Sequence, residues 1–255
     1  MEEIENFFTE LSNESRINIL FLLYQEKLNL TQISLKLSQS LPEVSRNLSR
    51  LNNKEFIRKD SNGYYHLSNF GLATICLLPG FAFLITNKDY FLQHSFVSIP
   101  RELFCRIGEL ANSSRVTGFL RVIDLIESCL LKAEKKIFMM GEQILLKNAQ
   151  QIEEKTNLGV EFSSLFPEDY VLPIKFGHSA INHINNSRYL NEIKTFIMLT
   201  EKEAVIAFPD NSNRIDYNDA IYGKDRLSLK WCEDLANYFL KVSEKQIPPK
   251  PYTLS

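Results

Sequence analysis

The segment LPEVSRNLSRL, Leu41 to Leu51, acquires two different faces when wound as an α-helix at about 100° per residue. Leu41, Val44, Leu48 and Leu51 fall into one apolar stripe. Arg46, Ser49, Arg50 and the following Asn53 fall on the opposite side. The stripe requires a core. The other face offers donors and positive charge without a ladder of carboxylates to neutralise them. On an isolated helix such a face is most often ordinary solvated surface, so the neighbouring segments have to choose between that and a binding face.

Upstream, SRINILFLLYQ (Ser15 to Gln25) reads as a helix with Ile17, Leu20, Phe21 and Tyr24 on one side and Ser12 or Asn13 as its cap. TQISLKLSQ forms a second helix, capped by Thr31, with Ile33 and Leu37 pointing inward. Ser38-Gln39-Ser40 makes a turn. Ser40 then caps the helix over residues 41–53, where Pro42 lies in the first turn and removes no hydrogen bond. Downstream, FIRKDSNGYYHLS supplies two short strands, Phe56 to Lys59 and Tyr64 to Leu67, around an Asp60-Ser61-Asn62-Gly63 turn. Helix, helix, turn, helix and β-hairpin in that order make an α+β winged helix-turn-helix. In that fold the third helix enters the major groove, and the hairpin lies along the backbone or minor groove.

In this context the polar face is a candidate DNA-binding surface. Between Lys36 and His66 the basic residues Lys36, Arg46, Arg50, Lys54, Arg58 and Lys59 outnumber Glu43, Glu55 and Asp60, a local net charge of +3 in a chain whose total is -2. Arg46 and Arg50 are the expected anchors. Ser45, Asn47 and Ser49 are supporting donors, with Asn53 and Lys54 at the helix end and Arg58, Lys59, Tyr64 and His66 on the wing. Double-stranded DNA is the expected partner. The rival is a winged-helix protein-interaction or signalling adaptor that does not bind DNA, which the slightly acidic pI of about 6.1 leaves open.

Past the hairpin, no Lys, Arg, Asp or Glu occurs from Ser61 to Asn87. The apolar run Phe70 to Ile85 is shorter than a usual membrane span and is expected to break at Pro79-Gly80. Burial at a subunit interface is the preferred reading, with Leu77, Phe81, Phe83, Leu84 and Phe91 facing a second copy in a homodimer. IPRELFCRIGELANSS, containing Leu103, Phe104 and Ile107, should form a short helix that closes this connector.

The remainder alternates between helix and strand. Phe119, Leu120, Ile123, Ile126 and Leu130 share a helical face. KIFMM (Lys136 to Met140), VEFSSLF, EIKTFIML and EAVIAFP read as strands. Glu142 to Asn157 is a helix, and so is Arg226 to Ser243, with Leu227, Trp231, Leu235, Tyr238 and Phe239 turned inward. This pattern predicts an α/β layered domain. The organisation is then a DNA-binding domain over 1–75, a helical connector and dimerisation segment over 76–115, an α/β regulatory domain over 116–245 and a tail over 246–255.

The segments FFTELSNESRINILFLL, LTQISLKLSQSLPEVSRNLSRL and FIRKDSNGYYHLSNFG resemble archaeal ArsR-type winged-helix regulators. LLPGFAFLITNKDYFLQH, IPRELFCRIGEL, IMLTEKEAVIAFPD and WCEDLANYFLK resemble archaeal regulators that carry the methanogenesis regulatory protein middle domain. Together these stretches reach from about Phe7 to Ser243. The C-terminal half also resembles the TrmB regulators, whose effector domain is related to the phospholipase D fold. The resemblance implies an archaeal, cytoplasmic transcriptional regulator whose C-terminal half senses an effector, either a small molecule or a protein.

Catalysis is not expected. A phospholipase D nucleophile needs His-x-Lys, whereas His178 is followed by Ser179-Ala180 and His183 by Ile184-Asn185. No GxSxG, P-loop, GxGxxG or HExxH occurs. Cys76, Cys105, Cys129 and Cys232 are scattered without a CxxC pair, which points to reduced thiols and no metal site, and no cofactor is expected. His178 and His183 read as solvated loop residues. Arg188 in SRYLNE offers a contact for an anionic effector, though exposed arginines are common.

Overall fold

The computed structural model describes residues 1–170 and 187–243; His178, His183 and the 246–255 tail lie outside the described residues. The chain divides into two compact units, Met1–Phe81 and Ala82–Ser255.

The first unit begins with a helix that the sequence reading left out, α1 (Glu2–Leu11), followed by α2 (Glu14–Gln25), α3 (Leu30–Leu37), α4 (Leu41–Asn53), and the strands β1 (Ile57–Lys59) and β2 (Tyr65–Leu67). β1 and β2 pair antiparallel, with Arg58 opposite His66. Their turn is held by the Asp60 carboxylate, which accepts from the backbone N–H groups of Asn62 and Tyr64, and by Gly63 at φ 84°. β2 also exchanges two backbone hydrogen bonds with Leu28, so the hairpin is anchored to the segment after α2. Ile19, Leu20, Ile33, Val44, Leu48, Leu51, Phe56 and Ile57 form the core.

Several local expectations need correction. Asn29, not Thr31, caps α3, through a reciprocal capping box with Gln32. Asn13 caps α2, as one of the two expected candidates, but that helix buries Arg16, Ile19, Leu20 and Leu23 while Phe21 and Tyr24, expected on the inward face, stay exposed. ILFLLY is apolar on nearly every side, so its periodicity could not select the inward face. Leu41 is exposed because it opens α4 ahead of the turn that meets the core.

Helix α5 (Asn69–Thr86) runs uninterrupted through Pro79. The proline ring is exposed, so continuation sacrifices one backbone donor and forces no buried clash. Among the described residues α5 alone is long and apolar enough to cross a membrane, and 22% of it is buried. Its first turn meets the hairpin closely: a Cβ on Gly71 would stand 2.0 Å from the Phe56 carbonyl oxygen. Gly71→Ala should therefore destabilise the first unit by about 2 kcal/mol. Urea unfolding followed by circular dichroism checks this, and an unchanged midpoint would mean that the joint relaxes freely.

The boundary after Phe81 also replaces the expected 76–115 connector. Phe83, Tyr90, Ile99, Leu103, Ile107 and Leu110 belong to the core of the second unit. Phe83, expected at a dimer interface, is 4% exposed and packs edge-on to Phe91 at 5.8 Å, so it is core. Leu84 and Phe91 are half-buried against the same core. The helix expected over IPRELFCRIGEL is instead a single turn, α7 (Arg101–Phe104), followed by a 3-10 turn over Ile107–Leu110, both after α6 (Lys88–Gln93).

The second unit is a mixed seven-stranded sheet in the order β3-β9-β8-β7-β4-β5-β6. Its strands are β3 (Ser114–Thr117), β4 (Lys136–Met140), β5 (Glu161–Pro167), β6 (Arg188–Leu190), β7 (Phe196–Thr200), β8 (Ala204–Ala207) and β9 (Asp219–Gly223). β4, β5 and β6 are mutually parallel, and the other pairings are antiparallel. The α/β layering expected from sequence is present; β3, β6 and β9 were not foreseen. β7 and β8 are buried at every position because helices cover both faces. On one face lie α8 (Phe119–Lys132) and α9 (Leu146–Asn157), and on the other α10 (Arg226–Val242). α8 buries Val122, Ile126, Cys129 and Leu130 but exposes Leu120. α10 buries Trp231 and Leu235, the indole donating to the Leu103 carbonyl at 2.9 Å, and exposes Leu227 and Tyr238.

Candidate nucleic-acid interface

Val44, Leu48 and Leu51 are fully buried, which pins the opposite side of α4 to the surface. Ser45, Arg46, Ser49, Arg50, Asn53 and Lys54 are all exposed there. Arg46, Arg50 and Lys54 recur at four-residue spacing and so make one basic stripe. Among the described residues, Arg46 has no hydrogen-bond or ion-pair partner.

Two expected contacts are already engaged. Arg50 grips the Glu10 carboxylate with two charge-assisted hydrogen bonds, at 2.8 and 2.9 Å. Asn47 is half-buried and donates to the Ser15 hydroxyl at 2.9 Å, which in turn donates to Gln39 at 2.6 Å. Their first role is therefore to lock α4 onto α1, α2 and the α3–α4 turn. Glu10 is only 4% exposed and also lies 3.5 Å from the buried Arg16, whose guanidinium donates to the Glu10 and Thr9 carbonyls. The Arg50 hydrogen bonds, opposed by burial, hold the Glu10 carboxyl below its ordinary range. The sequence reading missed Glu10 and Ser15. The available signal was the apolar spacing of Phe7, Phe8 and Leu11, which makes the acidic N-terminus an amphipathic helix.

On the hairpin, Arg58 and Lys59 are exposed, Tyr64 is at the turn, and the Lys59 ammonium stands 5.4 Å from the centre of the Tyr65 ring. His66 is half-buried, with Nδ1 lacking a hydrogen-bond partner. Lys36, counted with the basic set, pairs with Glu26 at 2.7 Å. Among the described residues, Arg46, Lys54, Arg58 and Lys59 make no ion pair with a carboxylate, and Lys54 acts on Glu10 only at longer range.

In the second unit, the segment expected to be the SRYLNE loop forms β6, and Arg188 donates to the Leu240 carbonyl at 2.6 Å, which commits it to the fold. Cys129 and Cys232 are buried and Cys76 and Cys105 exposed, all four as free thiols; burial pushes the Cys129 thiol up to about 12.

No protein-family model and no curated protein matches the chain. Among solved structures it is similar to TrmBL2, an archaeal chromatin protein described as showing a novel mode of DNA binding, at 15% identity over 92% of this chain and 94% of that one, with a TM-score of 0.44. It is also similar to NucT from Helicobacter pylori, at 9% identity over 54% of this chain and 98% of that one, with a TM-score of 0.40. Nuc from Salmonella typhimurium, a phospholipase D family member, matches at 13% identity over 51% of this chain and 93% of that one, with a TM-score of 0.36.

Proposed function

We propose that the chain is a sequence-specific, DNA-binding transcriptional regulator of the archaeal ArsR-like winged-helix type, acting in the cytoplasm. α4 enters the major groove and the β1–β2 hairpin serves as the wing. The observation that carries this reading is α4 itself: one side fully buried, the other bearing Arg46, unpartnered among the described residues, with Ser45, Ser49, Asn53 and Lys54. Serine and asparagine side chains suit phosphates and base edges, and arginine suits both. The second unit is read as a regulatory domain and not an enzyme, because none of the four histidines is followed two residues later by lysine. Retention on heparin or random duplex DNA should fall steeply as salt rises. No retention even at low salt would overturn the reading and favour the adaptor.

The regulator works as a homodimer through the apolar side of α1 and α5. Leu77 is 66% exposed and Phe81 45% exposed, Phe8 packs edge-on to Phe81 at 5.8 Å, and Ile4 is also exposed. A second copy would cover this surface and pair two recognition helices on successive half-sites. Light scattering should give a dimer for the wild type and a monomer for the Leu77→Glu/Phe81→Glu variant. A wild-type monomer, or a dimer untouched by both charges, would remove this face from the role.

A further inference from the structure

The second unit contains a small cavity between α8, the C-terminal end of β4 and the first turn of α9. Phe119, Ile123, Ile126, Met139, Ile144 and Phe196 supply its apolar wall, and Gln143, Asn148 and Tyr217 its polar atoms. Among the described residues, no charged side chain lines it. It offers about 50 Å³ to the centres of water-sized atoms, room for a few heavy atoms and not for an extended chain.

Three independent observations mark it as a built site. Asn148, in the first turn of α9, is 4% exposed, and its buried Oδ1 has no hydrogen-bond partner. A buried amide oxygen left unmatched is costly, so a donor from a bound molecule or a water is expected at this atom. The Tyr217 hydroxyl is also buried; it lies against the Glu142 backbone without completing a well-formed hydrogen bond. The third observation is topological. β4 pairs parallel with β5 on one side and antiparallel with β7 on the other, so the cavity sits beyond the carboxyl end of a strand where the sheet changes direction. Gly141 ends that strand, and a Cβ there would stand 2.9 Å from the Phe196 ring and press it toward the cavity.

Charge narrows the ligand further. The adjoining hollow shares Gln143 with the cavity and is bordered by Glu142, Asp169 and Glu192. An anion would meet these carboxylates outside and no cation inside. We infer that the cavity binds a small uncharged molecule of about three or four heavy atoms, with an apolar body and one hydroxyl or amide donor that bonds to Asn148 Oδ1. This deepens the regulatory reading of the second unit by giving its effector a place and a chemistry.

Calorimetry on the whole chain, without DNA, tests it with propan-2-ol, 2-chloropropane and acetate as probes. Propan-2-ol should bind saturably, 2-chloropropane about fivefold more weakly for want of one hydrogen bond, and acetate not at all. Asn148→Leu should abolish the preference for propan-2-ol over 2-chloropropane. If that variant does not fold, Asn148→Asp, which places a negative charge in the cavity, should weaken both probes in a folded chain. Absence of propan-2-ol binding, acetate binding as tight as propan-2-ol, or an unchanged preference in folded Asn148→Leu would each overturn the assignment. The measurement contains no DNA, so failure of the DNA-binding reading would leave its outcome intact. Probes that bind without altering a gel shift would keep the site and remove its coupling to DNA.

Discussion

Replacing Arg46 with alanine should lower affinity for duplex DNA about tenfold at fixed salt while leaving the fold intact. The side chain is exposed on α4 and has no hydrogen-bond or ion-pair partner among the described residues, so its removal opens no cavity and strands no buried charge. On DNA it can bond a base edge or a phosphate, and the form of the loss separates the two. A phosphate contact weakens binding to all sequences alike and reduces the salt slope by about one. A base contact relaxes discrimination at one position of the site. Gel shifts on genomic fragments with wild type and Arg46→Ala make the comparison. Unchanged affinity in a folded variant would take α4 out of the interface. Arg50→Ala is the contrasting case. Its guanidinium is already spent on Glu10, so its loss should appear first in the stability of the first unit and only secondarily in affinity.

That contrast marks where the sequence was legible. The periodicity of Val44, Leu48 and Leu51 fixed which side of α4 is buried, because only one side is apolar. The Asp60-to-Gly63 turn was readable because its chemistry is local: a carboxylate bonding backbone two and four residues on, and glycine at positive φ. β4 and α10 were likewise found almost residue for residue. What failed was everything set by distant partners. Arg46 and Arg50 look alike on a helical wheel, and only the return of α1 alongside α4 makes one free and the other bound. Phe83 and Leu77 sit in the same apolar run, yet the first is core and the second exposed, a difference decided by what lies beside each turn. The short strands β3 and β9 pair with each other across about a hundred residues and carry little hydrophobic pattern of their own, so no local window reveals them. The orphan Asn148 amide belongs to the same class: an asparagine in a helix is unremarkable until its neighbours are known.

Glu10 gives the largest expected stability change. Its carboxylate sits between the buried Arg16 and the half-exposed Arg50, and substitution by glutamine keeps the shape while removing the charge. Arg16 would then keep only the two backbone carbonyls, with a buried cation no longer balanced. Losing one member of a buried ion pair typically costs 3–5 kcal/mol; the surviving carbonyl bonds argue for the lower end, about 3 kcal/mol. The pH dependence carries a sign. The folded-state pKa of Glu10 lies below its ordinary value of 4.5, so its stabilisation is complete above that value and is lost as pH falls through the lower, folded one. The acid limb of stability should therefore be shallower in Glu10→Gln than in wild type in urea-unfolding series followed by circular dichroism, the remainder coming from other carboxylates held low in the fold, such as Glu203 and Asp234. The same substitution releases Arg50 into the basic stripe. The destabilised variant should bind random duplex DNA more tightly than wild type at low salt, with a salt slope steeper by about one released counterion. A variant that lost stability without gaining that slope would show that Arg50 cannot reach the DNA. One that gained the slope without losing stability would show that Arg16 needs no carboxylate. Both changes together would identify Glu10 as the residue that trades charge on the binding face for a rigid seat beneath α4.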